Sequence, residues 1–376
     1  MNATPPQRAQ SFAIEVSSRE AAVAEAWAEL EPHGAPFQRR AWVLPWRRVL
    51  APAFAATPLY VTVRDAQDAR PLMFLPLCRR RRWGLTILAF PDRGVSDYNA
   101  PLLAPGFAPS ADVFGELWRQ IVSSLPPADL LRFDKVPATI GGRDNPLAQL
   151  DGMRRMGFSA WPLALPATRE AYDTEVLDRK TRKEQRRKRK NLAERVGVLK
   201  LVHAATPVEG EAIFAALRRQ RAARFKRVGR PDLLDDPHFL AFYRAVAFEP
   251  WSGFVDLAAL KTGDRILATL LSLRCDGGRI LLMHAFEPEL EALSPGIVAI
   301  DELITEMIAA GEQLLDFTIG DETYKRQFGV VASPLLQGLL PLSQRGRLYV
   351  AAHDWARSCK RAVVALAAGI GRRKRR

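Results

Sequence analysis

The sequence predicts an α/β fold of the α+β type with a mixed β-sheet. The chain is expected to form two related domains that are joined by a basic helix. Two segments, 59–90 and 256–286, share the order strand, turn, strand, turn, strand. Each is followed by a helical pattern and then by a similar apolar segment, LLRFDKV at 130–136 and LLDFTIG at 314–320. A chain of 376 residues also exceeds the size of one ordinary hydrophobic core. The repeat therefore predicts two copies of one unit, each ending in a β-α-β crossover.

The strands of each copy are predicted from apolar runs separated by tight polar turns. The turns DAQD at 65–68 and TGD at 262–264 have the composition of β-hairpin turns. The third strand ends at Phe90 in the first copy and at Phe286 in the second. Because a crossover follows, the last two strands of each copy are expected to be parallel or splayed.

Helices are predicted where apolar residues recur every three or four positions. They cover residues 20–31, 38–51, 111–125, 207–226, 236–247, 295–310 and 348–368. The helix from 295 has the clearest boundaries. Ser294 suits the N-cap, Pro295 the first turn and Gly311 the C-terminal stop.

The composition indicates a folded, reduced protein without a metal site. Apolar residues make up 48% of the chain and charged residues 26%, which is ordinary for a soluble domain. The three cysteines, Cys78, Cys275 and Cys359, are far apart and form no C-x-x-C pair. No signal peptide and no run of about 18 apolar residues is present. These features predict a cytoplasmic protein with no metal and no transmembrane segment.

The net charge of +14 is concentrated in three patches. Residues 178–195 hold ten Lys or Arg against three acids, and the other patches are residues 79–82 and 371–376. The run at 178–195 lies between the two copies of the repeat and reads either as a solvated interdomain helix or as a grip for a phosphate-bearing substrate. Under the second reading, Arg182 and Arg186 bind substrate.

The start of the helix at 295 is a candidate anion site. Helix N-termini present free backbone N–H groups, and Gly296 has no Cβ to block a ligand. Ser294, Gly296 and Ile297 are therefore the candidate residues for binding a cofactor. The plain alternative is an ordinary helix cap.

Three segments resemble a known family. SDYNAPLL (96–103), SPGIVAIDEL (294–303) and LLDFTIGDETYKRQFG (314–329) are similar to the tandem GNAT-type acyltransferases of the CelD/BcsL-like group, associated with cellulose biosynthesis. These are distant relatives of the Fem-type peptidyltransferases. The resemblance covers residues 35–335. It implies a GNAT fold in each half, with the acyl-donor site in the second.

The resemblance also implies a domain division and a donor. The N-terminal GNAT-like domain is expected at 1–165, the C-terminal acyltransferase domain at 166–345, and a helix with a basic tail at 346–376. The donor is expected to be acetyl-CoA or another acyl-CoA, whereas the Fem-type relatives use aminoacyl-tRNA. The usual pyrophosphate loop with several glycines is missing, because residues 293–296 (LSPG) hold only one.

Four residues of the second copy are the candidate catalytic groups. Acyl transfer needs a base for the acceptor proton, a donor for the oxyanion and an acid for the leaving group. His284 replaces the apolar Leu88 of the first copy, and Asp316 could orient His284 or act as the base itself. The resemblance implies that Lys325 lies by the donor carbonyl or phosphate, and Tyr324 could protonate a thiolate. Each could instead be an ordinary packed or surface residue.

Asp97, Tyr98 and Asn99 are the candidate residues for binding the acceptor. They follow a strand of the first copy, in a loop that could reach across an interdomain cleft. The plain alternative for this cluster is an Asx-turn.

Three functions remain open at this point. The first is acyl transfer from acyl-CoA to an amine or hydroxyl of a sugar- or lipid-linked precursor of a cell-surface polysaccharide. The second is a Fem-type transfer from aminoacyl-tRNA, and the third is non-enzymatic binding to nucleic acid or an anionic surface. The basic run lacks the interleaved aromatic residues that stack on bases. The tail after residue 360 is a candidate for peripheral contact with the inner face of an anionic membrane, while 348–360 is expected to pack on the protein.

Overall fold

A computed structural model describes residues 11–248 and 253–373, with side chains as far as residue 359. Within these ranges, thirteen strands form one mixed sheet and two more form a small hairpin. In chain order the strands are β1 (Phe12–Ser17), β2 (Thr57–Asp65), β3 (Pro71–Arg82), β4 (Leu85–Ala89), β5 (Leu102–Leu103), β6 (Leu130–Pro137), β7 (Thr139–Ile140), β8 (Arg143–Asp144), β9 (Arg154–Ala164), β10 (Lys200–His203), β11 (Val255–Thr262), β12 (Arg265–Cys275), β13 (Gly278–Phe286), β14 (Leu314–Ile319) and β15 (Ser333–Pro341).

The predicted helices are present with bounds within about five residues of those expected, and α5 is an additional helix that was not predicted. They are α1 (Glu20–Leu30), α2 (Arg40–Pro45), α3 (Ala51–Ala53), α4 (Ala111–Ser124), α5 (Arg169–Ala171), α6 (Arg179–Val196), α7 (Pro207–Arg227), α8 (Pro237–Phe248), α9 (Pro295–Ala309) and α10 (Gln344–Arg373). A π-helical segment, Trp46–Leu50, joins α2 to α3. None of the helices in the described ranges has the length and hydropathy that crossing a bilayer requires.

The predicted repeat is confirmed by the order of strands. The main path of the sheet is β1-β2-β3-β4-β6-β15-β9-β14-β13-β12-β11-β10. The sheet therefore consists of two five-stranded units, with β15 and β9 between them. The order of strands across the sheet follows the chain in the first unit and is reversed in the second. In each unit three antiparallel strands are followed by a crossover helix and a strand parallel to the third.

The two halves exchange a strand. β9 follows the first unit in the chain but pairs with β14 of the second. β15 follows the second unit but pairs with β6 of the first, and β9 and β15 also pair with each other. The exchange covers the inner edge of both units and makes one continuous sheet. The division of the chain at residues 165 and 345 stays a prediction.

The parallel strands of each half are paired only at one end. β13 and β14 pair from Gly278–Leu314 to Ile280–Asp316 and then separate. β4 and β6 pair from Ile87–Leu130 to Ala89–Arg132 and also separate. The pair in the second half begins very close together, because a Cβ at Gly278 would lie 2.1 Å from the backbone oxygen of Leu314. Beyond the paired residues, the facing backbone edges are open to other partners.

Aromatic packing joins the helices of the two halves. Trp42 is fully buried and lies edge-to-face on Phe242, with ring centroids 5.0 Å apart. Phe54 lies against Phe239 at 5.8 Å. Buried residues from both halves form one hydrophobic cluster here. Burial of large aromatic side chains is worth several kcal/mol, about 25 cal/mol per Å², so this contact fixes the halves relative to each other.

The C-terminal helix packs on the first half at its start. Tyr349 and Val350 lie against the buried cluster of Leu85, Ile87 and Leu130. This agrees with the predicted packing of this segment on the protein. The basic tail that was predicted to contact a membrane lies outside the described side chains.

Candidate functional site

A cleft between the halves brings together two of the predicted site residues. It has a volume of about 660 Å³, and both Tyr98 and Asp316 line it. The Tyr98 hydroxyl donates a hydrogen bond of 2.6 Å to Asp316 Oδ1. The backbone N–H of Thr318 donates to the same oxygen at 2.7 Å. Asp316 therefore has one carboxylate oxygen held in place by two donors.

Burial controls the protonation of this pair. It raises the pKa of the Asp316 carboxyl, while the bonds from Tyr98 and Thr318 act in the opposite direction. Burial and the neighbouring Asp316 carboxylate raise the pKa of Tyr98 well above its ordinary value. Tyr98 is therefore a hydrogen-bond donor at neutral pH, and Asp316 is the acceptor.

Asp97 and Asn99 lie on either side of Tyr98 but have different surroundings. Burial raises the pKa of the Asp97 carboxyl to about 7, against the attraction of Lys135. Asn99 is 2% exposed and donates from Nδ2 to the backbone oxygen of Asp134 at 2.9 Å. Asn99 lines a second cavity in the first half instead of the cleft. Of the three predicted acceptor residues, Tyr98 is the one that lines the cleft.

Asp316 and His284 lie on opposite faces of the sheet. Leu315 and Phe317 belong to the hydrophobic cluster under α9, so strand alternation directs Asp316 to the cleft. His284 lies on the α9 side, where its Cδ2 would be 3.5 Å from a Cβ at Gly296. The predicted orientation of His284 by Asp316 is absent among the described contacts. This leaves the other predicted role of Asp316, that of the base.

His284 forms a separate group with Tyr324. The Tyr324 hydroxyl lies 3.5 Å from His284 Nδ1, and the ring centroids are 4.8 Å apart. Burial, together with the positive charges of Arg224, Arg221 and Lys325, lowers the pKa of His284 to about 3. The imidazole is therefore neutral at physiological pH and a weak base. Burial raises the pKa of Tyr324, which keeps its proton.

The start of α9 forms the edge of this group. Ser294 is at the predicted N-cap position, although its φ is +56° and its side chain makes no capping hydrogen bond. The backbone oxygen of Ser294 instead accepts from the N–H of Ile297 at 3.0 Å. Gly296 is buried, and a Cβ there would lie 3.0 Å from Phe286. The Gly296 N–H has no hydrogen-bond partner among the described residues, and the predicted anion site here stays a prediction. As predicted, Gly311 follows the helix end with a φ of +75°.

Lys325 is held by the loop after β14. Its ammonium group donates to the backbone oxygens of Ile319 at 2.8 Å and Gly320 at 3.0 Å. It also pairs with Glu322 at 2.9 Å, and its side chain is 3% exposed. All three ammonium protons thus have acceptors within the loop. Direct contact with a donor would require Lys325 to leave one of them.

The basic run forms α6, which packs against α9 and the turn Pro288–Leu293. On its inner side, Gln185 donates to the backbone oxygen of Gln327 at 2.7 Å and Leu192 is buried. Arg182 and Arg186, the predicted substrate ligands, both bind Asp173. The outer side is exposed, and among the residues described five exposed cations of α6 have no ion-pair partner: Arg179, Lys180, Lys183, Arg187 and Arg195.

Two residues that the sequence analysis did not select complete the geometry. Arg224 on α7 acts electrostatically on both His284 and Tyr324, and it has no ion pair with any residue of the described ranges. Thr318 has a φ of +60°, which turns its N–H toward Asp316. The sequence offered no specific signal for Arg224, which is one of six cations in α7. It offered none for the backbone of Thr318. No cluster of three metal-binding side chains occurs in the described part of the chain.

Comparison with protein families identifies the second half. Residues 179–326 match the model of the acetyltransferase (GNAT) domain. The matched segment begins at the basic helix and ends after Lys325, so it contains α9, the separating strands and His284. This segment is therefore similar to a GNAT-type acetyltransferase domain. No curated protein sequence matches the chain.

Comparison with solved structures extends the likeness to both halves. FemX superposes with a TM-score of 0.60 at 12% identity, covering 91% of this chain and 99% of that one. A conserved protein of unknown function from Bacteroides thetaiotaomicron gives 0.51 at 9% identity, with 88% and 100% covered. The C-terminal domain of a candidate lysylphosphatidylglycerol synthetase from Agrobacterium fabrum gives 0.51 at 11%, with 89% and 96% covered. At these identities the shared property is the tandem GNAT-like fold.

Proposed function

We propose that the protein is an acyltransferase that moves an acyl group to an amine or hydroxyl bound in the interdomain cleft. The observation that carries this proposal is the hydrogen bond between Tyr98 and Asp316, at the point where β13 and β14 separate. Asp316 is the last residue of β14 that pairs with β13, and it lines the cleft. An acyl group that enters between the separated strands would meet an acceptor there.

Asp316 is the proposed base. One oxygen is held by Tyr98 and Thr318, and the other is free of described partners. A buried carboxylate whose pKa is raised by burial is a better proton acceptor than an ordinary aspartate. It would take the proton of the acceptor N–H or O–H as the new bond to the acyl carbon forms. Tyr98 would hold the Asp316 carboxylate in place, and its hydroxyl oxygen could accept a hydrogen bond from the acceptor substrate in the cleft.

The donor side is proposed to lie under α9. The free N–H of Gly296 and the unpaired Arg224 offer positive charge, and the facing edges of β13 and β14 offer unpaired backbone groups. These groups fit an anionic, amide-containing donor such as acyl-CoA, which would supply a thioester. The Tyr324 hydroxyl, held as a phenol by burial, could return a proton to the departing thiolate. The single glycine at this turn is a departure from the usual CoA loop.

A Fem-type transfer from aminoacyl-tRNA is the second candidate, and one observation favours it. α6 packs against α9 and exposes cations without an ion-pair partner on its outer face. Such a face suits an extended phosphate backbone better than a single diphosphate. The likeness to FemX adds a structural precedent for the fold only.

The acceptor class is proposed from the resemblance to the CelD/BcsL-like group. It would be a sugar- or lipid-linked precursor of a cell-surface polysaccharide, presented at the inner face of the membrane. An anionic acceptor of this kind would suit the basic surface of α6. Peripheral attachment through the basic tail belongs to this same proposal.

Transfer from radiolabelled acetyl-CoA, and separately from charged tRNA, to amine and hydroxyl acceptors tests the function. Asp316→Asn should keep the bond from Tyr98 but lose at least about a hundredfold in kcat, because the amide cannot take a proton. Glu302→Gln, at a carboxylate on the far side of α9 that pairs with Arg189, is the matched control. Transfer by Asp316→Asn at the wild-type rate would rule out the proposed base.

The salt dependence of binding and the removal of cations from α6 distinguish the two candidate donors, acetyl-CoA and aminoacyl-tRNA. The double substitution Lys183→Gln with Arg187→Gln removes two cations of α6 and should weaken tRNA binding. The slope of log affinity against log salt concentration should fall by the equivalent of about two phosphate contacts. The same change should leave a transfer from acetyl-CoA nearly unaltered. Acetyl-CoA transfer without any tRNA binding would exclude the Fem-type alternative.

A further inference from the structure

The first half contains a second cavity that its predicted site residues do not explain. It has a volume of 500 Å³ and lies at the edge of β3 and β6, under the loop that follows β4. Arg80 and Arg82 point to the same face of β3 because side chains alternate along a strand. Arg132 comes from β6, and Arg93 comes from the loop. Four guanidinium groups therefore surround one cavity.

The cavity occupies the place in the first half that the cleft occupies in the second. Arg132 is the third residue of LLRFDKV, and Asp316 is the third residue of LLDFTIG. Both are the last paired residue of their parallel strand. The repeat thus presents a carboxylate to one cavity and a guanidinium to the other. The ligands of the two cavities should therefore differ in charge, with the anionic ligand in the cavity that contains Arg132.

The charges of the cavity do not balance internally. Its two carboxylates are already engaged, Asp134 by Arg132 at 2.6 Å and Asp92 by Lys135 at 2.9 Å. In the described part of the chain, neither Arg80 nor Arg93 has an ion-pair partner. Arg93 lies over the ring of Phe54 at 3.8 Å. Mutually repelling cations are costly to hold together, and an anionic ligand would compensate them.

Two buried polar atoms of the lining also lack partners. The Nε of Arg80 is buried without an acceptor, and the Oδ1 of Asn99 is buried without a donor. The amide orientation of Asn99 follows from the bonds of Nδ2 to the Asp134 backbone oxygen and to Asp92. Buried polar atoms are nearly always paired, so these two indicate a ligand with an anionic acceptor and a hydrogen-bond donor. Burial, and repulsion by the other arginines, lower the pKa of Arg80.

We propose that this cavity binds an organic phosphate that carries hydroxyl groups. Phosphate oxygens would accept from Arg80 and Arg93, since guanidinium groups suit phosphate geometry. A hydroxyl of the same ligand would donate to Asn99. Trp46, Phe90 and Phe158 supply an apolar wall for the rest of the molecule. The site is separate from the acyl-transfer site and does not rest on the proposed activity.

Titration calorimetry with inorganic pyrophosphate, at constant ionic strength, tests the site on the full chain. The wild type should bind one equivalent. Arg80→Gln should weaken binding about tenfold or more, since it removes a charged donor. Arg187→Gln removes an exposed cation from α6 and should leave this binding unchanged. An absence of binding, or equal weakening in both variants, would overturn the proposal.

The stability of the variant distinguishes a ligand site from a structural arginine. Without pyrophosphate, Arg80→Gln should melt at or above the wild-type temperature, because it removes an unpaired, half-buried cation. With pyrophosphate, the wild type should be stabilised and the variant should not. A large loss of stability in the absence of ligand would assign Arg80 to the fold instead. Arg93→Gln, at an exposed position, is a second variant with the same expected loss of binding.

Competition identifies the source of the phosphate. Glucose 1-phosphate should displace pyrophosphate if the ligand is a soluble sugar phosphate. Dihexanoyl phosphatidic acid should displace it if the ligand is a lipid headgroup. Both results support the site. Displacement by neither compound would contradict the assignment to an organic phosphate.

Discussion

The hydroxyl of Tyr98 and the carboxylate of Asp316 are 218 residues apart in the chain and 2.6 Å apart in space. Tyr98 comes from the loop after β4 in the first half, and Asp316 comes from β14 in the second. The bond crosses the cleft and couples the geometry of one half to the protonation of the other. It is the most direct link between the duplicated architecture and the proposed chemistry.

Tyr98→Phe should reduce kcat/KM about tenfold to a hundredfold while the protein stays folded. The ring packing is kept, but Asp316 loses one of the two donors that hold it. Because the bond from Tyr98 lowers the pKa of Asp316, its removal raises that pKa, and the acid limb of the pH–rate profile should move to higher pH. Tyr60→Phe, in the core of the first half, is the control. An unshifted pH profile in Tyr98→Phe would refute the coupling.

Gly296→Ala should raise the KM for the acyl donor about tenfold with little change in stability. The new methyl would lie 3.0 Å from Phe286 and crowd the start of α9, where the donor is proposed to bind. The helix-favouring effect of Ala offsets part of the crowding, about 1 kcal/mol. Gly115→Ala in α4 has open space around its Cβ and serves as the control. It should stabilise the protein and leave KM unchanged; a KM effect of equal size there would count against the donor site.

Lys325→Met should lower the free energy of unfolding by about 3 kcal/mol. The change leaves the backbone oxygens of Ile319 and Gly320 without their donor and removes the ion pair with Glu322. Chemical denaturation measures the effect. Lys190→Met, on an exposed side chain of α6, should cost less than about 0.5 kcal/mol. If Lys325→Met were fully stable but inactive, Lys325 would act on the substrate and not on the loop.

His203 should make the protein more stable at acidic than at basic pH. Its Nδ1 lies 2.9 Å from Asp256 and its Nε2 lies 2.7 Å from Glu306, and the hydrogen bond to Asp256 raises its pKa. A raised folded-state pKa gives stability that is complete below the unfolded value and is lost as the pH rises through the folded value. The melting temperature should therefore fall from about pH 6 to about pH 9.

His203→Gln should remove most of that pH dependence and leave the melting temperature at basic pH close to that of the wild type. Arg274 and Arg279 also bind Asp256, and they keep their charge over the whole range. Their contribution is constant, so the difference between the two proteins reports on His203. The same pH dependence in both proteins would assign it to other groups.

Local sequence patterns were enough to predict the repeat, the helices and part of the candidate site. Hairpin turns and apolar periodicity are local signals, and they located α7, α8 and α9 within a residue or two. Alignment of the two copies also showed where their chemistry differs. His284 stands where the first copy has Leu88, and Asp316 stands where it has Arg132. These signals depend on neighbouring residues, so no tertiary structure was needed to detect them.

The tertiary structure alone decided how these residues are combined. The exchange of β9 and β15 and the bond from Tyr98 to Asp316 depend on contacts between distant segments, which periodicity does not encode. Asp316 was directed away from His284 by the face of β14 that it occupies. Lys325 was drawn into its own loop because a buried ammonium group needs acceptors. The arginine cavity also depends on the tertiary structure. Strand alternation places Arg80 and Arg82 on one face of β3, and folding brings β6 and the loop after β4 against that face.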